Sequence, residues 1–164
     1  MPLLASGAEL FINIETNKGL SQLVFSLDSV SDQQFFSAMD EGYSVEIEYR
    51  FRLREEVNLG IMIPPKGAPS TIKIKMTGKK DFLTGGYFII RDGRRDYYNS
   101  RESFCANFFS CRTEIPAVYY ETVNCYIEAR AVADILKRPP PMQLLDMFYL
   151  SELIRTDWRQ LGNF

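Results

Sequence analysis

From Val45 to Leu53 apolar and charged residues alternate without a break, with Val45, Ile47, Tyr49, Phe51 and Leu53 set against Glu46, Glu48, Arg50 and Arg52. Successive side chains of a strand point to opposite faces, so the pattern predicts a strand with one buried and one wet face. Such strands belong to antiparallel sheets, because parallel sheets are covered on both faces and read as unbroken apolar runs. The charges are expected to solvate the wet face and to pair with neighbouring strands.

Weaker alternation recurs along the chain. Leu10, Ile12 and Ile14 mark one face of a first strand, and Leu23, Phe25 and Leu27 one face of a second. Asn17-Lys18-Gly19 between them reads as a hairpin connection. Ile72, Ile74 and Met76 alternate with Lys73 and Lys75, while Tyr87–Ile90 and Asp96–Tyr98 flank Asp92-Gly93, a tight-turn signal. A last long strand is expected over Val123–Ala133, which brings the number to about seven. Two short helices interrupt them. Ser31 and Gln34 have capping-box spacing ahead of Phe35, Phe36 and Met39, and Gly42 suits the left-handed position after a helix end. The second helix is expected from about Arg101 to Phe109, opened by Asn99 or Ser100, with Phe104, Cys105, Phe108 and Phe109 toward the sheet.

Two stretches break the rhythm. Residues Glu55–Pro69, with Pro64-Pro65 and Gly67, read as a long loop, and loops of that length tend to be functional or mobile. Near the other end Pro139-Pro140-Pro141 form a stiff extended spacer before Met142–Leu153, where apolar spacing fits helix and strand equally.

Composition narrows the picture. A chain of 164 residues, 46% hydrophobic and 13% aromatic, suits one domain with a substantial core. Residues 1–8 are expected to be a flexible lead and 9–164 a single β-rich domain. No run approaches the roughly 18 apolar residues of a membrane-spanning helix. The segment Met1–Ala8 lacks the basic start and long apolar run of an export signal, a pattern that fits equally a start just past a removed signal. Histidine is absent, which excludes a Ser-His-Asp triad, a Cys-His pair and a His-rich zinc site. Cys105, Cys111 and Cys125 match no paired-cysteine zinc spacing. Cys105 and Cys111 would be the pair to bridge in an exported chain, but three reduced, mostly buried thiols are the expected state.

The remaining candidates are sparse. Lys73, Lys75, Lys79 and Lys80, followed by Arg91, Arg94 and Arg95 and accompanied by Tyr87, Tyr97 and Tyr98, combine charge with stacking rings. The net charge of −2 argues against nucleic acid, and Lys73 and Lys75 are equally expected to guard the wet face of an edge strand. Gly85-Gly86 is too short to cradle a phosphate. Trp158, the only tryptophan, is read first as locking the tail onto the sheet, with anchoring of a partner as the alternative.

The order of pieces resembles domain-of-unknown-function family 4390, a bacterial family whose members are typically small exported proteins. The resemblance rests on a helix ending in Gly42 before the strand from Val45, the aromatic hairpin Tyr87–Tyr98 leading into a helix around Phe104, and the strand Tyr126-Ile127-Glu128-Ala129-Arg130. A proline segment and Asp157-Trp158 complete it. It covers roughly residues 9–160 and implies a periplasmic or otherwise exported location rather than a cytoplasmic one. It brings no catalytic residue with it.

These readings lead to a mainly β chain, a β-sandwich or curved antiparallel sheet, with two short helices. The expected function is a non-enzymatic binding or assembly module of a bacterial envelope. Its partner is expected to be another protein, without nucleic acid, cofactor, metal or transmembrane segment, in a setting compatible with membrane proximity. Partner contact is expected at Pro64, Pro65, Pro139, Pro140, Pro141 and Trp158, since extended, unpaired backbone suits strand addition or groove docking. The alternative is a carrier of an apolar small molecule held between sheet and helices.

Overall fold

The structure, a computed structural model, describes residues 8–17, 20–28, 30, 33–57, 60–66, 71–114, 125–136 and 152–161. Strands β1 (Glu9–Asn17) and β2 (Leu20–Asp28) form the expected hairpin, with Glu9 opposite Asp28 and Asn17 opposite Leu20. β8 (Ser110–Glu114) joins β2 to complete a three-stranded antiparallel sheet ordered β1-β2-β8.

The larger sheet is built around β3 (Ser44–Val57). It pairs with β9 (Cys125–Leu136) on one side and β5 (Ile72–Lys80) on the other, and β6 (Tyr87–Arg91) and β7 (Arg94–Tyr98) follow outward from β5. The short β10 (Glu152–Arg155) and β11 (Arg159–Leu161) both pair with β9, and β4 (Ile61–Ile63) pairs with the far end of β3. All these pairings are antiparallel, so the expected mainly β fold is what the chain adopts. At the β6–β7 turn Asp92 (φ 50°) and Gly93 (φ 79°) both take left-handed backbone, the twist that a two-residue hairpin requires.

One expectation is corrected. The stretch Glu55–Pro69 is not one long loop. β3 continues through Val57 and turns back into β4, with Glu55 opposite Ile63 and Val57 opposite Ile61. β5 is flanked by β3 but meets β6 only from Met76 to Lys80, so around Lys73 and Lys75 it has an open edge, as expected of those two lysines.

Helix α1 (Gln33–Asp40) ends as its sequence implies. Gly42 sits at φ +89°, its N–H bonds the Met39 carbonyl at 3.0 Å, and the Tyr43 N–H reaches the Ala38 carbonyl at 2.9 Å. Those two bonds satisfy carbonyls that the last turn would otherwise leave open. The proposed cap Ser31 lies outside the described residues. Helix α2 (Arg101–Phe108) is opened by Ser100, whose side chain accepts the Ser103 N–H at 3.2 Å. Of its expected sheet-facing residues, Phe104, Phe108 and Phe109 are buried and Cys105 is half-buried.

One face of the large sheet is dry. Val45, Ile47, Tyr49, Phe51 and Leu53 share it with Ile74, Met76, Tyr87, Ile89, Ile127, Ala129, Ala131 and Ala133, all buried. The three-stranded sheet covers part of this face, Phe25 stacking on Tyr49 at 5.5 Å and lying 5.6 Å from Phe51. The two helices cover the rest with a chain of ring contacts through Phe35, Phe36, Phe104, Phe108 and Phe109. α2 comes so close that a Cβ at Gly78 would lie 2.6 Å from Cζ of Phe104.

Candidate functional site

The opposite face of the large sheet carries the charges. Register sets them side by side: on the outer face Arg130 of β9 lies opposite Arg50 of β3, and Arg50 lies opposite Lys73 of β5. Three cations thus form one row across three neighbouring strands. The adjoining rows mix signs. Arg52 meets Glu128 at 2.5 Å with Arg54 at 3.5 Å from the same carboxylate, Lys75 meets Glu46 at 2.6 Å, and Arg50 pairs with Glu48 along its own strand. Lys79, Arg95 and Arg155 extend the basic character toward both ends of the face.

Trp158 reaches this face through an irregularity. Arg155 stands opposite Val132 and Arg159 opposite Ala129, so three residues, 156–158, span two positions of β9. The extra residue makes a bulge that re-aims the chain. Thr156 locks it, its N–H donating to the Ala131 carbonyl at 3.0 Å and its hydroxyl accepting the Ala131 N–H at 2.9 Å. The half-buried indole then lies under two guanidiniums, with Arg52 Cζ 4.1 Å and Arg130 Cζ 4.8 Å from the ring centre. Trp158 therefore fastens the tail to the sheet and stands beside the cation row.

The other residues singled out from the sequence do not assemble with it. Pro64 is exposed and Pro65 buried just beyond β4, and Pro139, Pro140 and Pro141 lie outside the described residues. Of the basic cluster, Lys73, Lys75 and Lys79 belong to the outer face, whereas Lys80 turns to the other side and meets Asp40 at 2.6 Å. Cys105 and Cys111 are not joined by a disulfide. Burial raises the pKa of the Cys111 thiol, although the Arg91 guanidinium pulls against it. Burial likewise lifts Tyr49 far above the ordinary phenol value. Among the described residues no group of three or more Cys, Asp or Glu side chains is placed to hold a metal ion.

A cleft of about 430 Å³ opens where α2, the β6–β7 hairpin and the β2–β8 pair meet. It has the position expected of an apolar carrier's cavity. Val24, Met76 and Ile89 line it, but so do Arg91, Asp96, Asn107, Ser110 and Arg112. An apolar ligand would strip water from those groups without replacing its hydrogen bonds, a cost of roughly 1–3 kcal/mol for each one left unpaired. The lining does not suit such cargo.

No helix among the described residues is long and apolar enough to cross a membrane. Comparison of the chain with family profiles, curated proteins and solved structures gives no match in any of the three.

Proposed function

We propose that this domain is a non-enzymatic binding module of the bacterial envelope that takes an acidic protein surface on the outer face of its larger sheet. The observation that carries the reading is the row Arg130–Arg50–Lys73. Like charges placed directly opposite one another on a sheet repel and destabilise it. Carboxylates of a partner laid across the row would relieve that repulsion. A local conflict kept in an otherwise consistent fold is where function is to be sought.

The carboxylates among these cations favour protein over nucleic acid. Glu46, Glu48 and Glu128 would repel the uniform charge of a phosphate backbone, whereas a protein surface can answer both signs. The envelope location rests on the resemblance to family 4390, and fractionation of the source cells tests it. A protein recovered wholly with the cytosol would refute that part.

Trp158 supplies the assay for the face itself, because the chain's single indole lies against the cations. Titration with poly-L-glutamate at low ionic strength is expected to change its emission, and added salt to reverse the change. Lys73→Glu, at an exposed position, should weaken the response severalfold without altering the fold. Unchanged emission, an undiminished response in K73E, or tighter binding of a single-stranded oligonucleotide than of poly-L-glutamate would each overturn the reading.

A further inference from the structure

The connection between β5 and β6 has a division of labour among its residues. The Asp81 N–H donates to the Gly86 carbonyl at 2.9 Å, and the Gly85 N–H to the Asp81 carbonyl at 2.8 Å. One Asp81 carboxylate oxygen accepts the Leu83 N–H at 3.0 Å and the other the Thr84 hydroxyl at 2.9 Å. Gly85 holds φ +77°, which favours glycine, and a Cβ at Gly86 would sit 2.8 Å from the Tyr98 carbonyl oxygen. Asp81, Thr84, Gly85 and Gly86 thus all serve to build the turn. The side chains of Phe82 and Leu83 take no part in it, and the two residues stand 62% and 98% exposed at its tip.

A turn this closely braced could have carried any two polar residues there. It presents instead two large apolar side chains that no described residue buries. Their neighbours have a definite chemistry. The Lys80 ammonium lies 5.7 Å from the Phe82 ring centre. The next row of the sheet toward the outer face is Lys79, Phe88 and Tyr97, in which Tyr97 is 61% exposed. That row leads onto the cation-rich face. Apolar side chains at a tip, with lysine and an exposed tyrosine in the rows just behind them, match the layering of a lipid interface, with acyl chains outermost from the protein and headgroups next.

We propose that the Asp81–Gly86 turn is a membrane-docking tip, which inserts Phe82 and Leu83 into the surface of an anionic phospholipid bilayer while Lys79 meets headgroup phosphates and Lys80 stays with Asp40. The inference is independent of the protein-binding reading of the outer face, and the two can fail separately.

The test is co-sedimentation of the full chain with vesicles of phosphatidylcholine and phosphatidylglycerol. Wild type is expected to sediment with them. Leu83→Ser should lower the partition coefficient about tenfold or more, the worth of one buried leucine, and the F82S/L83S pair should leave the protein in the supernatant. Because Leu83 touches so little of the protein, L83S should melt like wild type, and its response to poly-L-glutamate should be unchanged. Lys79→Glu should weaken vesicle binding further at low salt. Wild type remaining in the supernatant would overturn the proposal. So would L83S sedimenting as wild type does, since the contact would then lie on the cationic face.

Discussion

Gly78 is the point at which the fold can be tested most sharply. It sits within β5, opposite Val45, on the face against which α2 packs. A methyl group there would come within 2.6 Å of Phe104 Cζ, 3.0 Å of Val45 Cγ2 and 3.1 Å of Phe108 Cε2. Unstrained carbon contacts lie at about 3.5–4.0 Å, so the Phe104 ring must retreat by roughly 1 Å. It has nowhere to go. Phe104 is fully buried, with its ring centre 4.9 Å from Phe108, 5.4 Å from Tyr87, 5.9 Å from Phe36 and 6.2 Å from Tyr98. The displacement must pass into α2 as a whole.

Overpacking costs about 1–3 kcal/mol, and a ring with no room to retreat puts this site in the upper half of that range, about 2–3 kcal/mol. Replacing glycine in a strand returns about 0.5–1 kcal/mol through the unfolded chain, so Gly78→Ala should be destabilised by roughly 1–2 kcal/mol. For a chain of this length each kcal/mol moves Tm by about 2–4 °C, which places the G78A melting point roughly 2–8 °C below wild type. Thermal unfolding followed by circular dichroism reads this directly. Phe104→Leu removes the ring that the methyl strikes, so the double variant should be more stable than the two single changes add up to, by about 0.5 kcal/mol or more. If G78A melts at or above the wild-type temperature, or if the double variant is additive, the close approach of α2 to the sheet is refuted.

Two further substitutions probe the inner face and the tail. The Tyr49 hydroxyl is buried without a hydrogen-bond partner, so Tyr49→Phe should leave stability unchanged or raise it by up to about 1 kcal/mol in urea unfolding. The same burial raises the folded-state pKa of Tyr49, so the folded chain holds a proton that the unfolded chain gives up. Stability should therefore be full below the ordinary phenol value of 10.0 and fall as pH rises beyond it, with a smaller alkaline loss in Y49F; equal losses in the two would refute the assignment. Thr156→Val removes the hydroxyl that accepts the Ala131 N–H and leaves that donor buried, at a cost of about 1–3 kcal/mol, measurable by the same unfolding. Indole emission in T156V should also shift toward that of solvent-exposed tryptophan, because the bulge that Thr156 locks is what sets Trp158 on the sheet.

What could be read from the sequence follows from where side-chain burial alternates cleanly. β3, β1 and β2 were legible because one face of each is dry and the other wet, and the α1 terminus was legible because Gly42 does a job few other residues can. β8 was not. Ser110–Glu114 has one buried apolar residue, Cys111, and is a strand because β2 offers it a ladder of backbone partners. The end of β3 was misread as a loop because Glu55 and Glu56 interrupt the alternation and Pro64-Pro65 follow closely. β4, between them, is only three residues long. Trp158 was legible as a tail anchor, but its side of the sheet depends on one extra residue at 156–158, which no periodicity reveals. Phe82 and Leu83 were masked by the Gly85-Gly86 pair beside them, which drew the question of phosphate binding. The cation row was invisible for a different reason. Arg50, Lys73 and Arg130 are far apart in the chain, and only strand register makes them neighbours.

That register also decides how the charged face is to be understood. Lysine on an exposed edge strand has a sufficient explanation in blocking edge-to-edge association. At β7, the outer strand of its side, Arg94 and Arg95 fit that account. Arg50 does not, since β3 is paired there with β5 on one side and β9 on the other. Lys73 is different, because β6 pairs only with Met76–Lys80 and leaves the ladder of β5 open beside it, so edge protection accounts for the lysine but not for the row it shares with Arg50 and Arg130. Solubility does not require the row either, because interspersed signs solvate a face without the repulsion. The same sheet achieves this one row away, where Arg52 meets Glu128, and again where Lys75 meets Glu46. A glutamate at position 73 would complete the pattern beside Arg50 and remove one of the two like-charge contacts. If K73E proves more stable than wild type while losing its response to poly-L-glutamate, the lysine is kept at the expense of stability, and a requirement outside the folded chain holds it there. If K73E is less stable, Lys73 belongs to the internal balance of the sheet, and the case for an acidic partner on this face goes with it.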